Sequence, residues 1–552
     1  MPMPALPGAA ASTTRRVRVF VPFPAERAAA YRAAGYWRGR PLATLLDDAA
    51  ARWPDRPAVI DAAGTLSYAQ LDAAAERAAA GLHRLGLRAG DRVLLQLPNS
   101  STFPVALFAL LRIGAVPVLC LPGHRAAEIG HLAQVSAARA LVIPAVHAGF
   151  DYPAMARGLL AELPGVQHVV VDGDVGGRGA SFVAWSSVCA QDGAAPARPN
   201  PDPATPAVLL VSGGTTGLPK LIPRTHDDYV YNATASAQLC ELRSDDVYLV
   251  ALPAAHNFPL ACPGLLGAMS VGAATVFCAD PSPEAAFATI ARHRVTVTAL
   301  VPALANLWAQ ACDWEPQKPT TLRLLQVGGA KLASQDAAQI RDVLTPGLQQ
   351  VFGMAEGLLC YTRLGDSAQL LDCTQGRPLC PDDELRILDE DGAEVPVGAD
   401  GELLVRGPYT INGYYNAPEA NARSFSPDGF YRSGDRVRRL AHGYLEVTGR
   451  IKDVIVRGGE NIAADELEAQ LLRHPAVRSA AAVGLPDAYL GEKVCAAVVS
   501  EDSSLTVVEL NRHLGECGVA THIRVDQLAV LPALPTTAVG KIDKKELIRR
   551  LG

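Results

Sequence analysis

AVLLVSGGTTGLPKLIPRTH, residues 207–226, changes character in its middle. Residues 207–211 form an unbroken apolar run, the pattern of a buried strand. The run stops abruptly in Ser212-Gly213-Gly214-Thr215-Thr216-Gly217. Glycines let a backbone turn tightly and bring its N–H groups against an anion, where a Cβ would interfere. Three hydroxyls and Lys220 add donors and positive charge. A phosphate fits such a loop; taken alone, the stretch also reads as a Ser/Thr/Gly surface loop, and the rest of the chain decides between the two. It is not a Walker A loop, because Leu218-Pro219 stands where that motif needs Gly-Lys, and no G-x-G-x-x-G fingerprint is present.

On the N-terminal side the pattern is α/β. Leu71, Ala75, Ala78, Leu82 and Leu85 recur at helical spacing and Gly86 stops the helix; residues 92–97 then read as a strand. Asn99-Ser100-Ser101 offers caps for a helix reaching about Ile113, and residues 116–121, 141–144 and 168–171 continue the strand series. Short apolar strands alternating with helices imply a parallel sheet covered on both faces, with ligands at the strand C-terminal ends. The Pro-rich segment 191–206 is a linker before the phosphate strand. Strands at 247–252, 295–301 and 322–327 follow, each ending in a loop of Gly, His or Pro. From about Asp372 the texture changes: 385–388, 401–405 and 444–447 are short strands between Gly/Asp turns, a small β subdomain. After Gly449-Arg450 a helix at 465–472 and strands at 479–483 and 494–499 make a separate α+β unit. The expected fold is α/β: a large N-terminal domain of layered αβ sheets with a small β subdomain, residues 1–450, and a small α+β C-terminal domain, residues 451–552.

Composition narrows the class. At 552 residues the chain exceeds one core, which stops growing near ~250–300 residues. A net charge of −6 without any Lys/Arg run argues against a nucleic-acid partner. The eleven cysteines are scattered with no C-x-x-C, which reads as buried thiols in a reducing compartment. Residues 1–12 lack a signal peptide's basic start, and the apolar stretch after Arg15-Arg16 ends at Glu26-Arg27. Residues 258–279 are uncharged, but prolines and glycines break them into a buried helix, turn and strand. A cytoplasmic enzyme with no membrane association is expected.

Four further segments join the phosphate loop: QQVFGMAEG at 349–357, YRSGD at 431–435, GRIKD at 449–453 and PTTAVGKI at 535–542. In this order, SGGTTGLPK, FGMAEG, YRSGD, GRIKD and PTTAVGK resemble the adenylate-forming superfamily of acyl-CoA ligases, luciferase-like enzymes and peptide-synthetase adenylation domains. The resemblance runs from about Val19 to the C-terminus. More narrowly, VPFPAERAAAYRAAGYW at 21–37, HNFPLACPG at 256–264 and FGMAEG resemble the stand-alone aryl-acid adenylating enzymes of siderophore assembly.

The resemblance implies roles. Ser212, Gly213, Gly214, Thr215, Thr216, Gly217 and Lys220 would hold the β/γ-phosphates of ATP. Glu356 would bind Mg²⁺, a hard cation that takes oxygen ligands. Asp435 would accept both ribose hydroxyls, Arg450 would contact ribose or phosphate, and Gly329, Ala330, Val351, Phe352 and Gly353 would surround adenine. Lys452 falls at the hinge about which a mobile C-terminal domain swings between two half-reactions. Lys541 would be catalytic, stabilising charge that builds on the α-phosphate as a carboxylate attacks. The sequence departs from much of the superfamily at Ala355, where a Thr usually precedes the metal Glu.

The acid pocket is implied by the same resemblance. His256 would lie near the reacting carboxylate, Asn257 would bond the hydroxyl ortho to it, and Phe258 would pack on the ring, with Gly328 nearby. No acidic residue is available there for an α-ammonium, so amino acids are excluded as substrates. Cys262 stands where the 2,3-dihydroxybenzoate enzymes carry Ser, and Leu359 where they carry Val. A thiol is a poor partner for a 3-hydroxyl, so salicylate is favoured over 2,3-dihydroxybenzoate. Eleven residues follow Lys541, and the expected acceptor is the phosphopantetheine thiol of a separate aryl carrier protein. An aryl-CoA ligase using free CoA, activation of a related aryl acid, and a non-catalytic binding relative remain open at this point.

Overall fold

Leu209 and Leu210 are neighbours on the strand Pro206–Val211, both buried, yet they enter different cores. Side chains alternate across a strand, so such a pair reports a sheet covered on both faces. The computed structural model describes residues 19–552 other than 176–178, 191–196, 213–218, 330, 333, 390, 451–453, 501, 503 and 536–543.

Two large sheets share the N-terminal part. The first runs Leu221–Thr225, Pro206–Val211, Val116–Leu119, Arg92–Leu95, Ala140–Pro144, His168–Asp172 and Phe182–Ala184 in spatial order. All its pairings are parallel except the edge strand Leu221–Thr225, which pairs antiparallel with Pro206–Val211. The second has nine strands among the described residues, with Leu348–Gly353, Leu324–Gly328, Val297–Leu300, Val247–Val250 and Ala274–Phe277 parallel in its centre.

Between the sheets lies the main core. Leu95, Leu119 and Leu210 from the first sheet meet Val250, Phe277 and Leu324 from the second across the helices Tyr68–Arg84 and Thr102–Arg112. In the latter every residue from Phe103 to Arg112 is buried, as expected for a helix apolar all round. The outer face of each sheet has its own core. Leu94, Val118 and Leu209 pack on helices Ala126–Ser136 and Tyr152–Leu160; Leu249, Leu300 and Leu325 pack on helices carrying Phe287, Trp308 and Ile340.

The β subdomain is a four-stranded antiparallel sheet of Glu384–Leu388, Asp400–Arg406, Tyr431–Arg439 and Leu445–Arg450. A five-stranded sheet built from residues after 453 has its own core around Ile455, Leu467, Val494 and Leu510. The stretch 258–279 forms helices Asn257–Ala261 and Gly264–Val271 and strand Ala274–Phe277, so one expected helix is two. No helix among the described residues is long and apolar enough to cross a membrane.

Candidate active site

A cavity of about 290 Å³ opens where the strands of both large sheets end. Its walls carry Leu119 and Leu121, Val211 and Ser212, Val301, Gly328 and Val351. Strand C-terminal ends of both sheets, where a ligand site is expected, border this cavity. A tie between them is Asn99. Of the three residues Asn99-Ser100-Ser101 that offer caps, Ser101 takes the N-cap position without a side-chain bond, and Asn99 Nδ2 donates to the carbonyls of Val250, Leu252 and Cys278 at 3.0–3.1 Å. Its Oδ1 accepts from Ala254 N–H at 2.8 Å, which fixes the approach to His256.

At one end of the cavity stand Ser212 and Lys220. Ser212 N–H donates to Lys220 O and Lys220 N–H donates to Ser212 Oγ, both at 2.9 Å, so the neck of the glycine loop is closed by the hairpin itself. Gly213, Gly214, Thr215, Thr216 and Gly217 lie outside the described residues. Below the neck, His131 Nε2 lies 3.1 Å from Pro219 O.

Glu356 lines the cavity at 9 % exposure. Tyr414 Oη donates to its Oε1 at 2.8 Å and lies 3.0 Å from Tyr431 Oη. The Lys220 ammonium stands 5.2 Å from the Tyr414 ring centroid. One tyrosine therefore contacts both the carboxylate expected to hold a cation and the lysine expected to hold phosphate. Burial and the nearby Glu356 carboxylate push the Tyr414 hydroxyl well above its usual range, so it stays a donor. Mg²⁺ binds through one or two carboxylates together with waters and substrate phosphates. The Glu356 carboxylate, oriented by Tyr414 near the Ser212–Lys220 neck, fits that donor set.

Gly328 and Gly329 end the strand Leu324–Gly328. A Cβ on Gly328 would stand 2.5 Å from Val351 O and 3.3 Å from the Phe258 ring, so this glycine lets Phe258 press against the strand. Gly329 has φ +90°, where L side chains are strained. Val351 and Gly353 line the cavity, while Phe352 between them is half-buried against the main core. Asp435, at 6 % exposure, sits in a local turn in which its own N–H donates to Ser433 Oγ at 3.1 Å. Arg450 ends the neighbouring strand directly opposite Asp435. Ala330, Lys452 and Lys541 lie outside the described residues.

The other end of the cavity is bounded by His256, Asn257, Phe258, Cys262 and Leu359. His256 caps the short helix Asn257–Ala261: its Nδ1 accepts from Phe258 N–H at 3.2 Å. That bond leaves the proton on Nε2. The surrounding protein lowers its pKa below the ordinary value, with Glu460 acting in the opposite sense. With Nδ1 accepting, the ring has its Nε2–H for the cavity it lines. Asn257 Oδ1 accepts from Tyr229 Oη at 2.9 Å, and its Nδ2 lies 3.4 Å from Cys262 Sγ. The Cys262 thiol donates to Asn257 O at 3.4 Å, and burial pushes it up to about 12. Asn257 therefore offers the pocket an N–H, and the thiol's single proton is already committed.

Sequence reasoning missed several contributors. Tyr414 and Tyr229 lay outside the motifs that were weighted, and only a buried polar contact distinguishes them from core tyrosines. Gly458, Gly459, Glu460, His522 and Ile523, all C-terminal to the expected boundary, also face the cavity. No sequence signal brings them there; packing does. Ala520 N–H donates to Glu128 Oε1 at 3.1 Å, holding the two parts together beside the cavity.

Comparison with known proteins gives these features a context. The sequence model of the AMP-binding enzyme family matches residues 46–415, and that of the AMP-binding enzyme C-terminal domain matches residues 466–541. A Mycobacterium tuberculosis (strain ATCC 25618 / H37Rv) protein named salicyl-AMP ligase / salicyl-S-ArCP synthetase is 65 % identical over 557 residues, covering 100 % of this chain and 98 % of its own length. A 2,3-dihydroxybenzoate-AMP ligase of Bacillus subtilis (strain 168) is 45 % identical, over 96 % of this chain and 97 % of its own. Among solved structures, the apo structure of Mycobacterium smegmatis MbtA is 66 % identical, covers 96 % of this chain and 99 % of its own, and superposes with a TM-score of 0.75.

Proposed function

The chain belongs to the AMP-binding enzyme family, and we propose that it is a salicylate–AMP ligase that loads an aryl carrier protein. The carboxylate of salicylate attacks the α-phosphorus of ATP, the bond from that phosphorus to the α,β-bridging oxygen breaks, and pyrophosphate leaves with the formation of salicyl-AMP. A phosphopantetheine thiol of a separate aryl carrier protein then attacks the acyl carbon and AMP departs. The name of the 65 % identical relative, which spans the whole chain, supports both steps.

The observation that carries the choice of acid is the Asn257–Cys262 pair. In salicylate the ortho hydroxyl donates to its own carboxylate, leaving the phenolic oxygen as an acceptor. Asn257, with Oδ1 taken by Tyr229, presents an N–H for that acceptor. A 3-hydroxyl would need a further acceptor, and Cys262 offers only a weakly accepting sulfur. Leu359 Cδ2 fills the space beside Gly353, 2.6 Å from where a Cβ there would lie, which narrows the same side.

The remaining roles follow from position. Ser212, Lys220 and the 213–217 loop bind the β/γ-phosphates, and Glu356 holds Mg²⁺ with Tyr414 orienting it. When bound, Mg²⁺ neutralises charge on the phosphates. Asp435 takes the ribose hydroxyls, Arg450 contacts ribose or phosphate, and Gly329, Ala330 and residues 351–353 surround adenine. The Nε2–H of His256 steadies the carboxylate–phosphate junction. Lys541 stabilises the charge of the adenylation transition state, and Lys452 is the hinge between domains 1–450 and 451–552.

Pyrophosphate exchange over salicylate, 2,3-dihydroxybenzoate, 6-methylsalicylate, anthranilate and 3-hydroxypicolinate tests the substrate. Salicylate should give the highest kcat/KM, and a higher value for any other acid would replace it. Thioester formation on a holo aryl carrier protein against free CoA tests the acceptor, and preference for CoA would make the protein an aryl-CoA ligase. Replacing Lys541 with Ala should lower the exchange rate by about 10²–10³, the loss typical of one transition-state donor. Near-normal exchange by that variant would remove Lys541 from the mechanism.

A further inference from the structure

Three walls of the cavity meet on a side chain that no motif singles out. Arg224, on the edge strand Leu221–Thr225, is fully buried. Its Nε donates to Asp228 Oδ1 at 2.8 Å, Nη1 to Ala355 O at 3.1 Å and Nη2 to Asn232 Oδ1 at 3.1 Å. Each acceptor serves a different wall. Ala355 immediately precedes Glu356. Asn232 passes the contact to the acid pocket, since its Nδ2 donates to Ala261 O at 2.7 Å and lies 3.9 Å from Cys262 Sγ. Asp228 Oδ2 accepts both the N–H and the hydroxyl of Thr225 at 2.7 Å, fixing the end of a strand that starts beside Lys220. The face of the guanidinium lies 4.6 Å from the ring centroid of Tyr229, whose hydroxyl donates to Asn257.

Stability alone is a poor account of this arrangement. A buried ion pair is often no more stabilising than apolar residues of similar volume. What a guanidinium supplies is a rigid planar fork that fixes several acceptors in one frame, which the flexible ammonium of lysine does not do. The acceptors fixed here are the peptide before the metal-binding carboxylate and, through Asn232, the turn that carries Cys262.

We propose that Arg224 is a positioning residue that couples aryl-acid binding to the placement of Glu356 and the nucleotide. The coupling rests on the aryl-acid reading above. Filling the Asn257–Cys262 end orders Ala261 and Cys262, and the Asn232–Arg224 link carries that order to the Ala355–Glu356 peptide. By linkage the effect is reciprocal: nucleotide and metal tighten the acid pocket by the same factor. Such a frame matters for rate because displacement of ~1 Å between reacting groups can cost about 10²-fold.

The test measures the affinity of the full-length enzyme for α,β-methylene-ATP with Mg²⁺ by calorimetry, with and without saturating salicylate. In the wild type salicylate should tighten nucleotide binding by about 5-fold or more, the usual lower range of such coupling. Asn232→Ala cuts only the arm to the acid pocket and should bring the factor close to one while the protein still melts cooperatively. Arg224→Lys keeps the charge and should lose the same coupling, with kcat for pyrophosphate exchange falling by about 10–10² and both KM values moving less. If Arg224→Lys does not fold, Asn232→Ala decides. A factor of one in the wild type, or an unchanged factor in Asn232→Ala, overturns the coupling and leaves the substrate reading standing. Absence of salicylate-dependent pyrophosphate exchange overturns the substrate reading, and the coupling with it.

Discussion

The Cys262 thiol donates to Asn257 O and receives the Asn257 amide, so in the proposed function substrate discrimination at this end rests on two side chains that face each other. Serine in its place would bring a shorter, strongly accepting hydroxyl within reach of a ring 3-hydroxyl, and Leu359→Val would remove a methylene beside it. Cys262→Ser with Leu359→Val should raise kcat/KM for 2,3-dihydroxybenzoate relative to salicylate by about 10-fold or more, as a satisfied buried polar group contributes ~1–3 kcal/mol. Exchange assays with both acids read the ratio, and an unchanged ratio would mean that selection lies elsewhere. These residues were legible in the sequence because they sit inside a recognisable run, 256–264. Arg224, Tyr229 and Tyr414 were not legible. An Arg in a strand or a Tyr in an apolar stretch carries no local sign of what it touches across 131 or 58 residues of chain.

Elements divide along the same line. Pro206–Val211 was readable because an unbroken apolar run that ends in glycines has the pattern of a buried strand. The strand after it was not foreseen, since Pro223 lies in its middle. Proline cannot donate to a ladder and is confined to sheet edges, and Leu221–Thr225 is indeed the edge of its sheet. The assignment of each strand to one or the other of the two sheets was hidden. Central parallel strands are apolar on both faces, so periodicity identifies each strand without saying which sheet receives it. A consequence at this scale concerns Gly328, where the strand Leu324–Gly328 meets the Phe258 ring. A methyl group there would enter a contact of 2.5 Å with Val351 O, so Gly328→Ala must displace Phe258 or the strand end. Overpacking of this kind costs ~1–3 kcal/mol. The expected result is a lowered melting temperature together with a salicylate KM raised more than the ATP KM. Equal changes in both KM values would show that Phe258 is not held by this glycine.

Across the whole molecule, the β subdomain meets the core at Asp383, and its ionisation ties overall stability to pH. Tyr409 Oη donates to Asp383 Oδ2 at 2.6 Å and Cys380 N–H to the same oxygen at 3.1 Å, while the buried Oδ1 has no hydrogen-bond partner among the described residues. Burial pushes this carboxyl up to about 7, against 3.8 ordinarily, and the two donors to Oδ2 only partly oppose the shift. Between those values the folded chain holds a proton that the unfolded chain has released. Stability from this group is therefore greatest at the acid end of the window and declines as pH rises toward about 7, above which the ionised carboxylate is a constant penalty. Asp383→Asn stays neutral throughout and keeps an oxygen to accept from Tyr409, so it carries no such dependence. The melting temperature of the variant minus that of the wild type should increase from about pH 5 to about pH 8. A difference that is flat or decreases over that interval would show that Asp383 is ionised in the fold at acid pH. Because Tyr409 Oη also lies 3.2 Å from the backbone nitrogen of Leu359, the same ionisation reaches the acid pocket. The wild-type KM for salicylate should then rise across this pH interval while that of Asp383→Asn stays level, which separates a local effect on the pocket from a general loss of folded protein.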